Sequence, residues 1–411
     1  MLELRTGGTP LPVLEPLPYH LAVRDHLREH AAALFQRFGS DELSATHAEE
    51  LDLALLKSTY RLEPQSHPGL HELARAAARS VGLDAELELY QGSDEGALNA
   101  ALYFAPGKAR VVLYGPLEER LEEDELRALF GHELAHHLLW TTERGELLTT
   151  TRALSALEGA GAASSVVATA RALRLATEIF ADRGALLASG DVGAAVRCLV
   201  KTRTGTSEVD PDAFLAQADE VLERAGAGSD ETSHPETYLR AKALSLHARG
   251  GGGAEAEIAR LLEGKPELDG LDLMRRLELT EISRDLVDHL LAADWFRTPA
   301  VVGHARLLFD DYEVRTPPRT PPELAEALGA YGPTVLDYVA YLLVDFVAVD
   351  PSLEELPIAL TQWLAEPLGV RARLEAAINK ELKITKRTIA SVNARRESLL
   401  AAASARDEAR A

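Results

Sequence analysis

The sequence predicts a predominantly helical α+β protein, with a small sheet packed on one histidine-bearing helix and an all-α C-terminal domain after it. Three observations carry this. Ala and Leu dominate while aromatic residues are only 5% of the chain, a balance that favours helix. Between residues 85 and 116 the hydrophobic period shortens to that of strands. Beyond that stretch, helical patterns run to the end of the chain.

The elements follow in order. Residues 1–18 are rich in Pro and Gly and read as an extended arm. Tyr19 to Phe38 has a helical pattern, and a second helix spans 41–57 with Ser40 or Asp41 as N-cap. A third covers 68–81, opened by Pro68. The segments 85–91, 98–104 and 110–116 read as short strands between turn residues. LEEDELR then suits a helix start, with acids in the first turn. Residues 147–202 form a long helical region, in which the small-residue run 159–170 is a close-packed helix start or a loop. A helix spans 210–225 and another follows Pro235. ARGGGG at 248–253 reads as a linker and a domain boundary. Past it, helices are interrupted by the Pro-rich loop 315–322. The tail, 380–411, reads as one helix with a basic first half, either solvated or in contact with an acidic surface.

Composition bounds the function. At 411 residues the chain has room for two or three domains. Apolar residues at 46% and a mean hydropathy of −0.09 fit a soluble globular protein. The net charge of −22 argues against nucleic acid as main partner, because phosphate is repelled. Cys198 is the one cysteine, so an intrachain disulfide and a Cys-rich zinc site are both excluded. The first residues lack a basic segment followed by an apolar one, so no signal peptide is expected. With no apolar run of about 18 residues, no membrane span is expected either, and the expected location is the cytoplasm.

The chemistry lies in GHELAHHLLW at 131–140. His132 and His136 stand four apart, so on a helix both imidazoles share a face and can reach one metal ion. Glu133, beside the first, can act on a water at that metal as general base. Leu126, Leu129, Phe130, Leu134 and Leu138 recur near helical spacing and give this helix a buried side. A catalytic zinc needs a third protein ligand. Glu178, in LATEIFADRGALL, is the best candidate, because Asp182 follows one turn later and can accept the N–H of a ligating imidazole. The alternative is an ordinary salt-bridged helix face. Glu143 and Glu146 follow the motif too closely to fold back easily. His234, in Ser233-His234-Pro235, can donate to a developing oxyanion, or mark only a turn with Ser233 as N-cap. His26 and His30 are also four apart but lack an evident third ligand, and fit a charged solvent face as well.

These segments, in this order, resemble the HtpX-like and CAAX-prenyl-type zinc metallopeptidases of the gluzincin group. Leu98-Asn99-Ala100 looks like the edge-strand motif, Gly131 to His136 like the zinc helix, and Glu178 to Asp182 with Arg183-Gly184-Ala185 like the glutamate helix. Ser233-His234-Pro235 with Arg240 looks like the family's T-H-P-x-x-x-x-R segment. The resemblance covers roughly 60–250. It implies a gluzincin core with one zinc ion on His132, His136 and Glu178, and Glu133 as general base and then proton donor. It also implies Asp182 supporting a zinc histidine, Asn99 and Ala100 holding the substrate strand, His234 at the oxyanion, and Arg240 paired with an acid of the glutamate helix. Membrane members carry spans around the zinc helix, which this chain lacks, so it looks like a soluble relative. The segment 338–370 faintly resembles tellurite-resistance-B-like domains; Asp345, Asp350, Glu354 and Glu355 there are candidate metal ligands or a solvated acidic turn.

The expected protein is a zinc endopeptidase acting on a cytoplasmic protein or peptide. An N-terminal arm and helices (1–60) precede the peptidase core (61–249). The all-α domain 254–411 would recognise a regulatory partner or gate the cleft. The alternative is a latent or inactive zinc-stabilised scaffold that serves as an interaction protein.

Overall fold

The computed structural model describes residues 14–39, 41–93, 98–105, 107–159, 161–229, 231, 234–250 and 253–409, with backbone alone for 41–48 and 408. Most of the N-terminal arm and the capping residues Ser40 and Ser233 lie outside the described residues. The chain divides into two compact units, Met1–Gly264 and Lys265–Ala411.

The first unit opens with α1 (Pro18–His30), α2 (Ala32–Phe38) and α3 (Asp41–Ser58). The single helix expected from Tyr19 to Phe38 is broken at Ala31, whose φ of −132° and ψ of 39° are not helical. No Gly or Pro marks that break. His26 and His30 stack ring on ring at 4.4 Å, and no third metal-binding side chain joins them among the described residues. A three-residue strand, β1 (Tyr60–Leu62), was not expected; α4 (Pro68–Val81) follows. The strands β2 (Glu86–Gln91), β3 (Asn99–Ala105) and β4 (Lys108–Tyr114) complete a sheet in the order β1-β2-β4-β3.

β4 sits inside the sheet, parallel to β2 and antiparallel to β3, and is buried on both faces. Its alternation explains both. Ala109, Val111 and Leu113 join the main core, while Val112 packs on the other face with Tyr90 and Leu55 of α3. β3 closes the sheet, and among the described residues nothing pairs with its outer edge.

After α5 (Leu117–Arg120) comes α6 (Glu123–Thr141). It starts with a capping box: the Glu122 N–H donates to Glu125 at 3.0 Å, with acids filling the first turn. Its far end is tied to β3 by buried His137, whose Nε2 donates to the Ala105 carbonyl at 3.2 Å. The expected helical stretch 147–202 is three helices: α7 (Glu146–Leu157), α8 (Ser164–Ser189) and α9 (Val192–Thr204). The small-residue run is both things expected of it, loop before Ser164 and helix after. Gly190, at φ 70°, ends α8, and the Asp191 carboxylate caps α9 by accepting from Gly193 and Ala194. Fully buried Glu125 accepts from Lys201 at 2.8 Å and Arg197 at 3.0 Å, clamping α9 to the start of α6. The unit closes with α10 (Pro211–Ala225), α11 (Thr237–Arg249) and α12 (Ala254–Glu263).

The second unit is all helix: α13 (Leu273–Leu291), α14 (Pro299–Leu308), α15 (Pro321–Leu328), α16 (Pro333–Asp345), α17 (Leu356–Ala365), α18 (Arg371–Leu382) and α19 (Lys386–Glu408). The tail is therefore not one helix. Lys383 turns left-handed at φ 58°, and Thr385 caps a new helix. The Pro-rich loop is held to α13 by Arg315 on Asp288 at 2.7 Å and Arg319 on Asp285 at 2.5 Å. Two of the four acids considered as a second metal site are used otherwise. Asp350 accepts from the Ser352 N–H, and Glu355 pairs with Arg395. Across both units no described helix is long and apolar enough to cross a membrane.

Candidate metal centre

α6 and α8 cross at two glycines. A Cβ on Gly184 would stand 2.5 Å from the Gly131 carbonyl oxygen and 2.5 Å from Ala135 Cβ; one on Gly131 would be 2.5 Å from the Gly184 carbonyl oxygen. The backbones touch, as only glycine permits. This close approach brings the histidines of α6 against the acids of α8.

His132, His136 and Glu178 converge, with one ligand atom of each within 4.8 Å of the others. No other such group occurs among the described residues. The two Nε2 atoms are 3.3 Å apart. Glu178 Oε2 lies 3.6 Å from His132 Nε2, and Oε1 lies 3.6 Å from His136 Nε2. In a tetrahedral zinc site with bonds of about 2.0–2.2 Å, ligand atoms stand about 3.3–3.6 Å apart, so these separations fit. Glu178 Oε2 is buried and has no hydrogen-bond partner among the described residues, a costly state that a cation would relieve. Two imidazoles and a carboxylate suit zinc.

The surroundings hold this geometry. His132 Nδ1 donates to Asp182 Oδ1 at 3.0 Å, which leaves the Nε2 lone pair facing the centre. Arg240, from α11, grips Asp182 with two bonds, Nη2 to Oδ1 at 2.6 Å and Nε to Oδ2 at 2.8 Å. Its Nη1 lies 3.6 Å from Glu178 Oε2. His234 Nε2 is 3.6 Å from Glu178 Oε1, on a side chain 64% exposed.

Electrostatics sort these groups. Burial lowers the His136 pKa to about 4, so its imidazole is neutral at pH 7. Burial also acts against a charged His132, but the bond to Asp182 and the charge of Glu178 outweigh it and raise its pKa. Glu178 and Asp182 both titrate below the usual carboxylate range, since the charge of Arg240 overcomes their burial. Glu133 goes the other way. It is 7% exposed, and burial lifts its pKa to about 7 even though a backbone hydrogen bond from Leu102 of β3 favours the charged form.

A cavity of about 460 Å³ runs over these residues. Asn99, Ala100, Ala101 and Leu102 of the open edge β3 form one side, and Glu133 opens into it. The expected site residues are thus gathered around one cleft, with His234 and Asn99 also bordering an adjoining polar cavity. Sequence reasoning missed three features here. The contact of Gly131 with Gly184 was signalled only by two glycines inside helices, where each costs about 1 kcal/mol against alanine. The bond from Leu102 to Glu133 is a backbone contact and leaves no signature. Trp140 stacks on His136, with centroids 5.8 Å apart and planes at 26°; its spacing of four from His136 could have revealed it.

The chain matches no curated protein and no solved structure. Residues 64–248, the segment that carries all of these side chains, match the model of peptidase family M48, which supports a metallopeptidase function for the chain.

Proposed function

We propose that the protein is a zinc-dependent endopeptidase. The single observation that carries this reading is the convergence of His132, His136 and Glu178 beneath the open edge of β3, beside a buried glutamate. The three would hold the ion; zinc, when bound, supplies the Lewis acidity that polarises the scissile carbonyl and acidifies water.

The chain's own residues do the rest. An extended substrate adds to β3 as a further strand, with Asn99 and Ala100 at one end of the pairing. Antiparallel addition lays its N-terminal half toward Ala105 and its C-terminal half toward Asn99. Glu133 takes the proton of the attacking water and passes it to the leaving amine, a task suited to a pKa near 7. His234 reaches in from solvent to donate to the oxyanion. Asp182 and Arg240 keep His132 in the tautomer that leaves Nε2 free. A cavity lined on both sides of the centre, from Asn99 to Trp140, suits cleavage within a chain, and the lone buried thiol is in keeping with a cytoplasmic protein or peptide as substrate. The ordered motifs from Asn99 to Arg240 favour the HtpX-like branch.

The test is cleavage of a mixed library of blocked peptides. Cleavage is expected within the peptides, lost after chelation and restored by one equivalent of zinc. Cleavage indifferent to chelation, or none from the zinc-loaded protein, would contradict the reading.

A further inference from the structure

We propose that Trp140 is a specificity residue, forming a subsite that takes a large apolar side chain on the N-terminal side of the scissile bond. This rests on the peptidase reading and deepens it.

The cavity does not stop at the metal-binding side chains. It continues along α6 toward its C-terminal end, where Trp140, Thr151, Leu154, Ser155, Ala170 and Leu173 line it. Leu154 and Leu173 are core residues that turn carbon toward this space, and Ala170 leaves it room. The indole is fixed on two sides. It stacks on His136, and Phe104 of β3 meets it edge-on at 5.7 Å. A ring held in this way presents a ready apolar wall at little entropic cost.

The contact with Phe104 also sets the direction. Phe104 lies near the end of β3, so Trp140 stands at the Ala105 end of the open edge. An antiparallel substrate brings its N-terminal half there. The subsite is thus a fixed apolar wall beside the open main-chain edge of β3, as in ligand pockets generally.

The test uses two inhibitors whose hydroxamate fixes their C-terminal end on zinc: acetyl-Ala-Ala-Phe-hydroxamate and acetyl-Ala-Ala-Ala-hydroxamate. Binding to the zinc-loaded full chain is measured by calorimetry, independently of any cleavage. The Phe compound is expected to bind about 10–100-fold more tightly, the effect of burying one aromatic side chain. Trp140→Ala, with zinc content checked, is expected to cut that preference to about threefold or less. Trp140→Phe keeps an aromatic wall, so the preference for the Phe compound should stay within about threefold of wild type. A preference unchanged in Trp140→Ala would overturn the proposal, as would equal binding of both compounds to the wild type. Failure here leaves peptide cleavage by the wild type intact, whereas failure of the peptidase reading appears as no cleavage at all.

Discussion

Glutamine at position 133 is expected to abolish most peptide cleavage while zinc stays bound. Glu133 is not among the three side chains that converge on the centre, and glutamine matches its shape. The substitution removes only the capacity to accept a proton. Positioned general bases contribute about 10²–10⁴-fold, so kcat/KM should fall by about that factor with KM little changed. Leu102 can still donate to the amide oxygen, so the fold should hold. The wild type should also lose activity on the acid side as Glu133 becomes protonated. A base works only when deprotonated, so activity rises with pH through its pKa. Burial is the largest of the effects that put that value at about 7, and the charge of a nearby cation draws it lower; the half-loss point should therefore lie at or below about pH 7. Stopped cleavage assays of both proteins across pH, with zinc measured in each, check this. Activity within a few-fold of wild type in Glu133→Gln would remove Glu133 from the proposed chemistry.

Gly184→Ala is expected to destabilise the protein and loosen zinc together. In most helix interiors the same change stabilises by about 0.4–1 kcal/mol. Here the new methyl meets the Gly131 carbonyl oxygen at 2.5 Å, backbone that cannot move aside. α6 and α8 must separate, and overpacking of this kind costs about 1–3 kcal/mol. The separation moves Glu178 and Asp182 away from His132 and His136, so zinc affinity should fall about tenfold or more, as when the support of a ligand is lost. Thermal melts with and without zinc, and a competition titration against a chelator, read both effects. A variant as stable as wild type, with unchanged zinc affinity, would mean that the two helices are not locked at this crossing.

What could be read from the sequence follows from how local the signal is. His132 and His136 are legible because i and i+4 share a helical face, and Glu178 because Asp182 repeats that spacing on a second helix. Strand β2 is legible because Glu and Leu alternate along it, and β3 and β4 because short apolar runs stand between turn residues. β1 spans three residues, too few for a period to show. The kink at Ala31 and the left-handed Lys383 occur without Gly or Pro, so tertiary packing decides them rather than propensity. The glycine crossing belongs to two segments about fifty residues apart. Each half looks like a weak point in its own helix, and only together do they make the contact that sets the site.

The most direct measurement is the zinc content of the purified full chain after dialysis against excess zinc and then metal-free buffer, with Glu178→Ala treated in parallel. The proposed centre predicts one equivalent in the wild type and a small fraction of that in Glu178→Ala, because two histidines alone hold zinc poorly. A folded wild type that retains no zinc, or a Glu178→Ala variant that retains a full equivalent, would contradict it.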